Sequence, residues 1–294
     1  MKSKGFSNLI LNLIFILLSA FCIFPLLLTV SISLSSESSI LENGYTLIPK
    51  QFTLEAYKYI VQSKGTIINA YVVTIFTTVV GMLVSTLIIA LYAYPLSRPD
   101  FKWRNVFTFY VFFTMLFSGG TVAWYMVCTN VLHLSNTIWS MIVPYLMNAW
   151  YVIIMRTFFA TSVPSSIIES AKLDGAGEYR ILFTLVLPIS IPGIATIALF
   201  QTLHYWNDWW LPLMFVTEPK LFNLQFLLKN MMSNIQALFE NQEYISNSAE
   251  QLMNMPREGT RMALCIVVMG PILIVYPFFQ KYFIQGLTVG ALKG

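Results

Sequence analysis

The chain has 294 residues, 57% of them hydrophobic and only 10% charged, with a net charge of +4 and a mean hydropathy of +0.69. Soluble domains carry about 25% charged residues and need that polar surface to stay dispersed, so this composition excludes a soluble globular protein and points to an integral membrane protein. The small basic excess forms no basic face interleaved with aromatics, which argues against a nucleic-acid partner.

In chain order, a short basic arm holding Lys2 and Lys4 precedes an apolar run over residues 9–34. That run exceeds the roughly 7–15 residues of a signal-peptide core and lacks an A-x-A site, so it is expected to stay as a first span. Residues 35–65 are polar and must leave the bilayer. Within them Thr53 is placed to cap a short interfacial helix reaching Gln62, with Glu55 favouring its N-terminal dipole. Further apolar runs cover 67–94, stopping at Pro95, then 106–128, 137–159, 182–215 and 262–283. A spanning helix needs about 20 residues, so the expectation is an all-α membrane protein with six transmembrane helices in one domain, 1–294. Gly119-Gly120 marks a kink or a close backbone approach in the third run; Pro144 and Asn148 interrupt the fourth, and Pro188 and Pro192 open the fifth.

Charge placement orients these spans. With each crossing once, ten of the 17 Lys and Arg residues fall in the terminal segments and short loops of one side, and seven in the longer loops of the other. The positive-inside rule then puts both termini, and the loop over 160–181, in the cytoplasm of a multi-pass cell-membrane protein. Residues 217–260 form a long polar segment on the outer face. Cys22, Cys128 and Cys265 lie far apart inside apolar runs with no C-x-x-C, and read as small buried hydrophobes. His133 has no second ligand near it and the methionines suit helix packing, so no metal site is expected.

The loop between the fourth and fifth spans is the most informative stretch. Pro164 suits a first helical position, and Ile167, Ile168 and Ala171 share a face at helical spacing. Asp174-Gly175 stops that helix, because Gly takes the left-handed conformation beyond a helix end, and a second helix can begin near Ala176. The result is an amphipathic helix, a tight turn and a re-entering helix at the membrane surface.

Glu169-Ser170-Ala171, three residues, Gly175, nine residues, Leu185, one residue and Leu187-Pro188 resembles the EAA loop of ABC-importer permeases. Ser170 stands for the usual first Ala and Leu185 for Ile. Asp174-Gly175-Ala176 resembles the carbohydrate-uptake, maltose-type branch. Phe117-Ser118-Gly119-Gly120, Asn136-Thr137-Ile138-Trp139 and the run from Tyr276 to Phe283 look like its oligosaccharide-importing subgroup. The resemblance implies a type I ABC importer permease fold whose EAA coupling helix docks in a cleft on a separate ATPase. Glu169, Ser170, Ala171, Asp174, Gly175, Leu187 and Pro188 would form that coupling element. It also implies two ATPase subunits, a homologous second permease, an extracytoplasmic solute-binding lipoprotein that meets the outer segment, surrounding lipid, and an oligosaccharide substrate. No G-x-x-x-x-G-K-[ST] occurs, so ATP and Mg are expected on the partner ATPases and no cofactor on this chain.

The fifth run also carries His204-Tyr205-Trp206-Asn207-Asp208-Trp209-Trp210. His204 and Asp208 are four apart, hence on one helix face, and an ionisable residue inside a span is a functional candidate. Aromatic rings and amides suit a sugar, so His204, Trp206, Asn207 and Asp208, with Asn148 and Gln201, are candidates to line the substrate path. The same cluster would also serve as an outer-interface aromatic belt. Two readings of other classes stand beside transport. A membrane-embedded hydrolase would use a Ser with His204 and Asp208, but no G-x-S-x-G or H-E-x-x-H occurs. A non-transporting scaffold would tolerate loss of the polar lining.

Overall fold

A computed structural model of the chain describes residues 3–62, 64–240 and 257–291. Lys2, Asn241, Gln242 and Lys293, and the middle of the outer segment, lie outside them. The described residues are helical, with no strand beyond an isolated antiparallel bridge between Ser35 and Phe52. The chain packs as two compact units, Met1–Ile67 with Leu228–Pro271, and Ile68–Leu227 with Ile272–Gly294.

In the first unit, α1 (Ser3–Ser33) runs through Pro25, and its stretch Asn8–Ser33 is long and apolar enough to cross a membrane. Its side chains are largely exposed, Phe21 at 77%, which in water would be untenable and in lipid is the stable arrangement. The polar segment that follows folds into α2 (Glu37–Asn43), capped by the Ser36 hydroxyl accepting from Ser39 N, and α3 (Glu55–Gln62). Thr53 Oγ1 accepts from Glu55 N at 3.2 Å, the cap expected from the sequence. The last helix, α14 (Arg257–Ala291), contains the sixth apolar run and extends beyond it at both ends. Its N-terminal amide at Glu258 donates to the Glu37 carboxylate at 3.1 Å. Ile32, Ile40, Ala56, Ile60, Ala263 and Leu264 are buried in this unit.

The second unit holds most of α4 (Lys64–Ser97), which carries Pro95 in its last turn and ends three residues beyond the expected stop. One proline there forfeits a single backbone bond, and the helix tolerates it. The third apolar run is bent by 113° between α5 (Arg104–Leu116) and α6 (Thr121–Met126), which continues as a π-turn to Val131. Gly120 takes φ +83° at that bend with open space around its Cβ position, so the Gly pair makes a kink and not a close approach. The fourth run bends by 50° between two 3-10 turns, Ile138–Met141 and Val143–Tyr145, and α7 (Ala149–Ser162).

Next come α8 (Ser165–Leu173) and a fifth run that is not one helix. It passes through α9 (Glu178–Ile181), a π-turn over Leu182–Val186 and α10 (Leu187–Ile189), bends by 82°, continues as α11 (Ile191–Trp206), and restarts as α12 (Trp210–Phe215). The expectation of a continuous helix over 182–215 is therefore corrected. Pro188 and Pro192, each in the first turn of its helix, lack the donors that would fuse the pieces. Among the described residues, two helices can cross a membrane by length and composition alone, or up to five if each bent pair counts as one span. The polar segment over 217–260 contains α13 (Leu224–Glu240), a helix the sequence reading did not anticipate.

Candidate functional site: the coupling loop and an aromatic cleft

The α8 region is built from local signals. Pro164 lies at the N-cap with extended backbone, one residue earlier than expected, so α8 starts at Ser165. Ile168 is 2% exposed and packs with Val163, Ile181, Val186 and Ile197, while Ala171 lies against the same cluster. Ile167 was expected on that face but points outward. At the far end Gly175 takes φ +80°. Its amide donates to Lys172 O at 3.0 Å and that of Ala176 to Ala171 O at 2.9 Å, the paired closure of a Schellman motif. Asp174 is the C-cap, and the next helix starts at Glu178 instead of Ala176.

What this helix leaves uncovered defines a face. Glu169 and Ser170 are exposed, and Glu169 has no ion-pair partner among the described residues. Leu173 is 90% and Tyr179 78% exposed. Exposed apolar side chains on a loop that also carries an exposed carboxylate make this face a candidate for docking. Neither Leu173 nor Tyr179 was singled out from the sequence, although Leu173 breaks the helix's apolar spacing. Leu187 is half-buried against the core and Pro188 is exposed, both within α10; they shape the re-entry and do not extend the α8 face.

Lys172 links this loop to residues far away in sequence. Its ammonium lies 2.7 Å from Asp100 Oδ2 in the α4–α5 turn and 2.7 Å from Glu178 Oε1. Tyr94 of α4 donates to Glu178 Oε2 at 2.7 Å, and Arg98 Nε stands 3.4 Å from Asp100 Oδ1. The Lys172 hydrogen bond holds the Asp100 carboxyl below its usual range, and the bond to Asp100 raises the Lys172 ammonium.

The second region is a cleft of about 560 Å³ lined by Tyr151, Phe200, Leu203, His204, Asn207, Asp208, Trp209 and Trp210. Tyr151 and Phe200 are stacked, 5° from parallel with centroids 5.9 Å apart. His204, Asn207 and Asp208 are thus brought together, and three other candidates are not. Trp206 is only 5% exposed and Gln201 fully buried, its amide without a hydrogen-bond partner among the described residues, while Asn148 accepts from Trp150 N at 2.9 Å and caps α7. Asp208 is not on a helix face with His204, because α11 ends at Trp206. Its Oδ1 accepts from Trp210 N and Leu211 N at 3.1 and 3.3 Å, starting α12, and from Tyr145 OH at 3.3 Å. Two further organising residues were missed. Asn223 accepts from Phe226 N at 2.9 Å at the start of α13 and donates to Asp208 O; Asn136 accepts from Thr217 N at 2.7 Å. Both are Asn beside a helix end, the residue type that signals a cap. No group of His, Cys, Asp and Glu able to hold a metal occurs among the described residues.

Residues 86–289 match the family of binding-protein-dependent transport system inner membrane components. The chain belongs to this family. It is 34% identical over 294 residues to the polygalacturonan/rhamnogalacturonan transport system permease protein YtcP of Bacillus subtilis, covering all of both chains. It is 35% identical over 275 residues to Protein LplC of the same organism, covering 94% of this chain and 90% of that one. A crystal structure of a bacterial ABC transporter involved in the import of the acidic polysaccharide alginate contains a chain similar at a TM-score of 0.81 and 26% identity. That match covers 96% of this chain and 98% of the other. This permease is therefore an inner-membrane ABC importer subunit and not an enzyme; the ATPase, a second permease and a substrate-binding protein are separate chains. The hydrolase reading is set aside with it.

Proposed function

We propose that this permease passes an oligosaccharide, released from a complex polysaccharide and delivered by an extracytoplasmic binding lipoprotein, across the membrane. One observation carries the reading: a cleft walled by the stacked Tyr151 and Phe200 rings is also lined by His204, Asn207 and Asp208. Aromatic faces stack against sugar C–H groups while polar rims meet hydroxyls. YtcP, a polygalacturonan/rhamnogalacturonan transport permease, and the alginate importer support the sugar class. In this reading α8 docks on one of two ATPase subunits through Glu169, Ile167, Leu173 and Tyr179, while Ser170, Ala171, Asp174 and Gly175 set its closeness and turn. Leu187 and Pro188 hold the re-entry. ATP and Mg act on the ATPases, and closure of that pair moves α8 and with it the spans. Both termini and α8 face the cytoplasm, and the outer segment with α13 meets the binding protein. The test is uptake of labelled oligosaccharides into vesicles holding the complete transporter. Tyr151→Ala and Phe200→Ala should each lower uptake while leaving basal ATPase activity intact; unchanged uptake in both would remove the cleft from the path.

A further inference from the structure

A second cleft, of about 440 Å³, opens in the unit that carries α8, between the end of α4, the start of α5 and the α7–α8 corner. Three arginines line it: Arg98 from the α4–α5 turn, Arg104 at the first position of α5 and Arg156 on α7. The hydroxyl residues Tyr94, Ser97, Thr161 and Ser165 share the wall with apolar side chains.

The charges do not balance. The carboxylates nearest in the network, Asp100 and Glu178, are each bound by Lys172 at 2.7 Å. Arg98 lies 3.4 Å from Asp100, but its Nε makes no hydrogen bond and its side chain is only 11% exposed. Arg156 spends its Nε on Leu96 O at 3.1 Å. Among the described residues neither Arg104 nor Arg156 has an ion-pair partner. Lys172 and Arg98 thus take both carboxylates, and Arg104 and Arg156 have none among the described residues. A guanidinium as withdrawn from water as Arg98 is costly unless an anion is brought to it, and the half-buried Arg104 and Arg156 line the same cleft, a setting that suits an anion with several acceptor oxygens. The guanidinium fork matches phosphate. The height of the cleft says where that phosphate comes from. It sits where the apolar helix α4 ends and α5 begins, the level of lipid headgroups, and basic pockets between membrane helices at that level take anionic headgroups.

We propose that this cleft binds the phosphate of an anionic phospholipid and that the bound headgroup steadies the α7–α8 corner. Because Ser165 and Ile168 of α8 lie in its wall, occupancy acts on the coupling loop directly. The site does not depend on which way the chain is oriented, since both leaflets present phosphates.

The complete transporter is placed in nanodiscs of phosphatidylcholine alone and with added phosphatidylglycerol. Retained lipid is read by native mass spectrometry and stability by the thermal midpoint. Wild type should retain phosphatidylglycerol and melt higher in its presence. Arg104→Gln should weaken retention about tenfold, the loss of one charge-assisted hydrogen bond, and shrink the shift in midpoint. Its midpoint in phosphatidylcholine should match wild type, which excludes misfolding as the cause. Arg104→Lys should fall between the two, keeping the charge and losing the fork. Equal phosphatidylglycerol retention in wild type and Arg104→Gln would overturn the site. Stabilisation by soluble glycerol phosphate without anionic lipid would overturn the lipid as its occupant. Loss of the ATPase subunits from Arg104→Gln, with no lipid effect in wild type, would show that a partner's carboxylate fills the cleft and would overturn the proposal as well.

Discussion

Lys172 holds Asp100 and Glu178 at 2.7 Å each, yet all three side chains are more than a third exposed, so the pairs add about 1 kcal/mol or less to stability. Their value is directional: they fasten the end of α8 to the end of α4, so that the two move together. Lys172→Met should leave the thermal midpoint nearly unchanged and lower sugar transported per ATP about two- to fivefold, with Lys172→Arg retaining most of it. The pH dependence follows from the shifts. The Asp100 contribution is present above the ordinary carboxylate range and lost as pH falls through its depressed value. The Lys172 contribution is present below the ordinary ammonium value and lost as pH rises through its raised one. The Lys172→Met defect should therefore be equal at about pH 6 and about pH 8, and vanish below the ordinary carboxylate range and above the ordinary ammonium value. The link to Asp100 was not legible in the sequence, because a partner 72 residues away leaves no trace in local spacing. Tyr205 is a second case. A Cβ on Gly81 would stand 2.5 Å from its ring, and its hydroxyl donates to Ile142 O at 3.0 Å. Gly81→Ala should cost roughly 1–3 kcal/mol by overpacking, and Tyr205→Leu in the same chain should cost less than the two changes separately, because the added methyl then has room.

At the level of elements, the signals that were legible are those that act within one turn. The α8 stop, Gly175 and the Thr53 cap needed only neighbouring residues. Gly175 has φ +80° and nothing within 4 Å of its Cβ position, so the demand there is purely backbone. Gly175→Val should cost about 1–2 kcal/mol and uncouple ATP hydrolysis from binding-protein stimulation, while Gly175→Asn, which tolerates the left-handed region, should do so far less. Equal loss in both would show that the position is constrained by bulk at the docking face instead. Hydropathy, by contrast, is blind to direction. It reads residues 182–215 as one apolar run although the chain bends by 82° within it, and it gave no reason for Asp208 to leave the α11 face. The helix α13 was missed for a different reason. Its cap signal, Asn223, is one amide among many in a long polar segment; Asn223→Ala should cost about 1 kcal/mol and lower stimulation by the binding protein in the proposed reading, measured as ATPase rate against binding-protein concentration.

For the whole molecule, the orientation rests on charge alone. The short loops carry Arg98, Lys102, Arg104, Lys172 and Arg180, and the structure gathers Arg98, Arg104 and Lys172 around the α8 loop and its neighbouring turn. A concentration of cations in short loops is what insertion machinery holds on the cytoplasmic side. Bent helix pairs complicate the count of crossings, since a pair bent by 113° can be a broken span or a re-entrant loop. If α5 and α6 enter and leave on one side, everything after them inverts relative to α4, and α8 ends up outside, where it can meet no ATPase. A single experiment separates these. In a background with Cys22, Cys128 and Cys265 replaced by Ala, cysteines are introduced one at a time at Asn43, Ser166 and Glu218. All three positions are at exposed or loop sites flanking the bends. In intact cells a membrane-impermeant thiol reagent should label Asn43 and Glu218 variants and spare the Ser166 variant, which should react only after the membrane is opened. Labelling of Ser166 in intact cells would invert α8 and remove the docking proposal with it. Protection at Glu218 together with labelling at Asn43 would instead place the fault between α8 and α12, in the bend at Ser190.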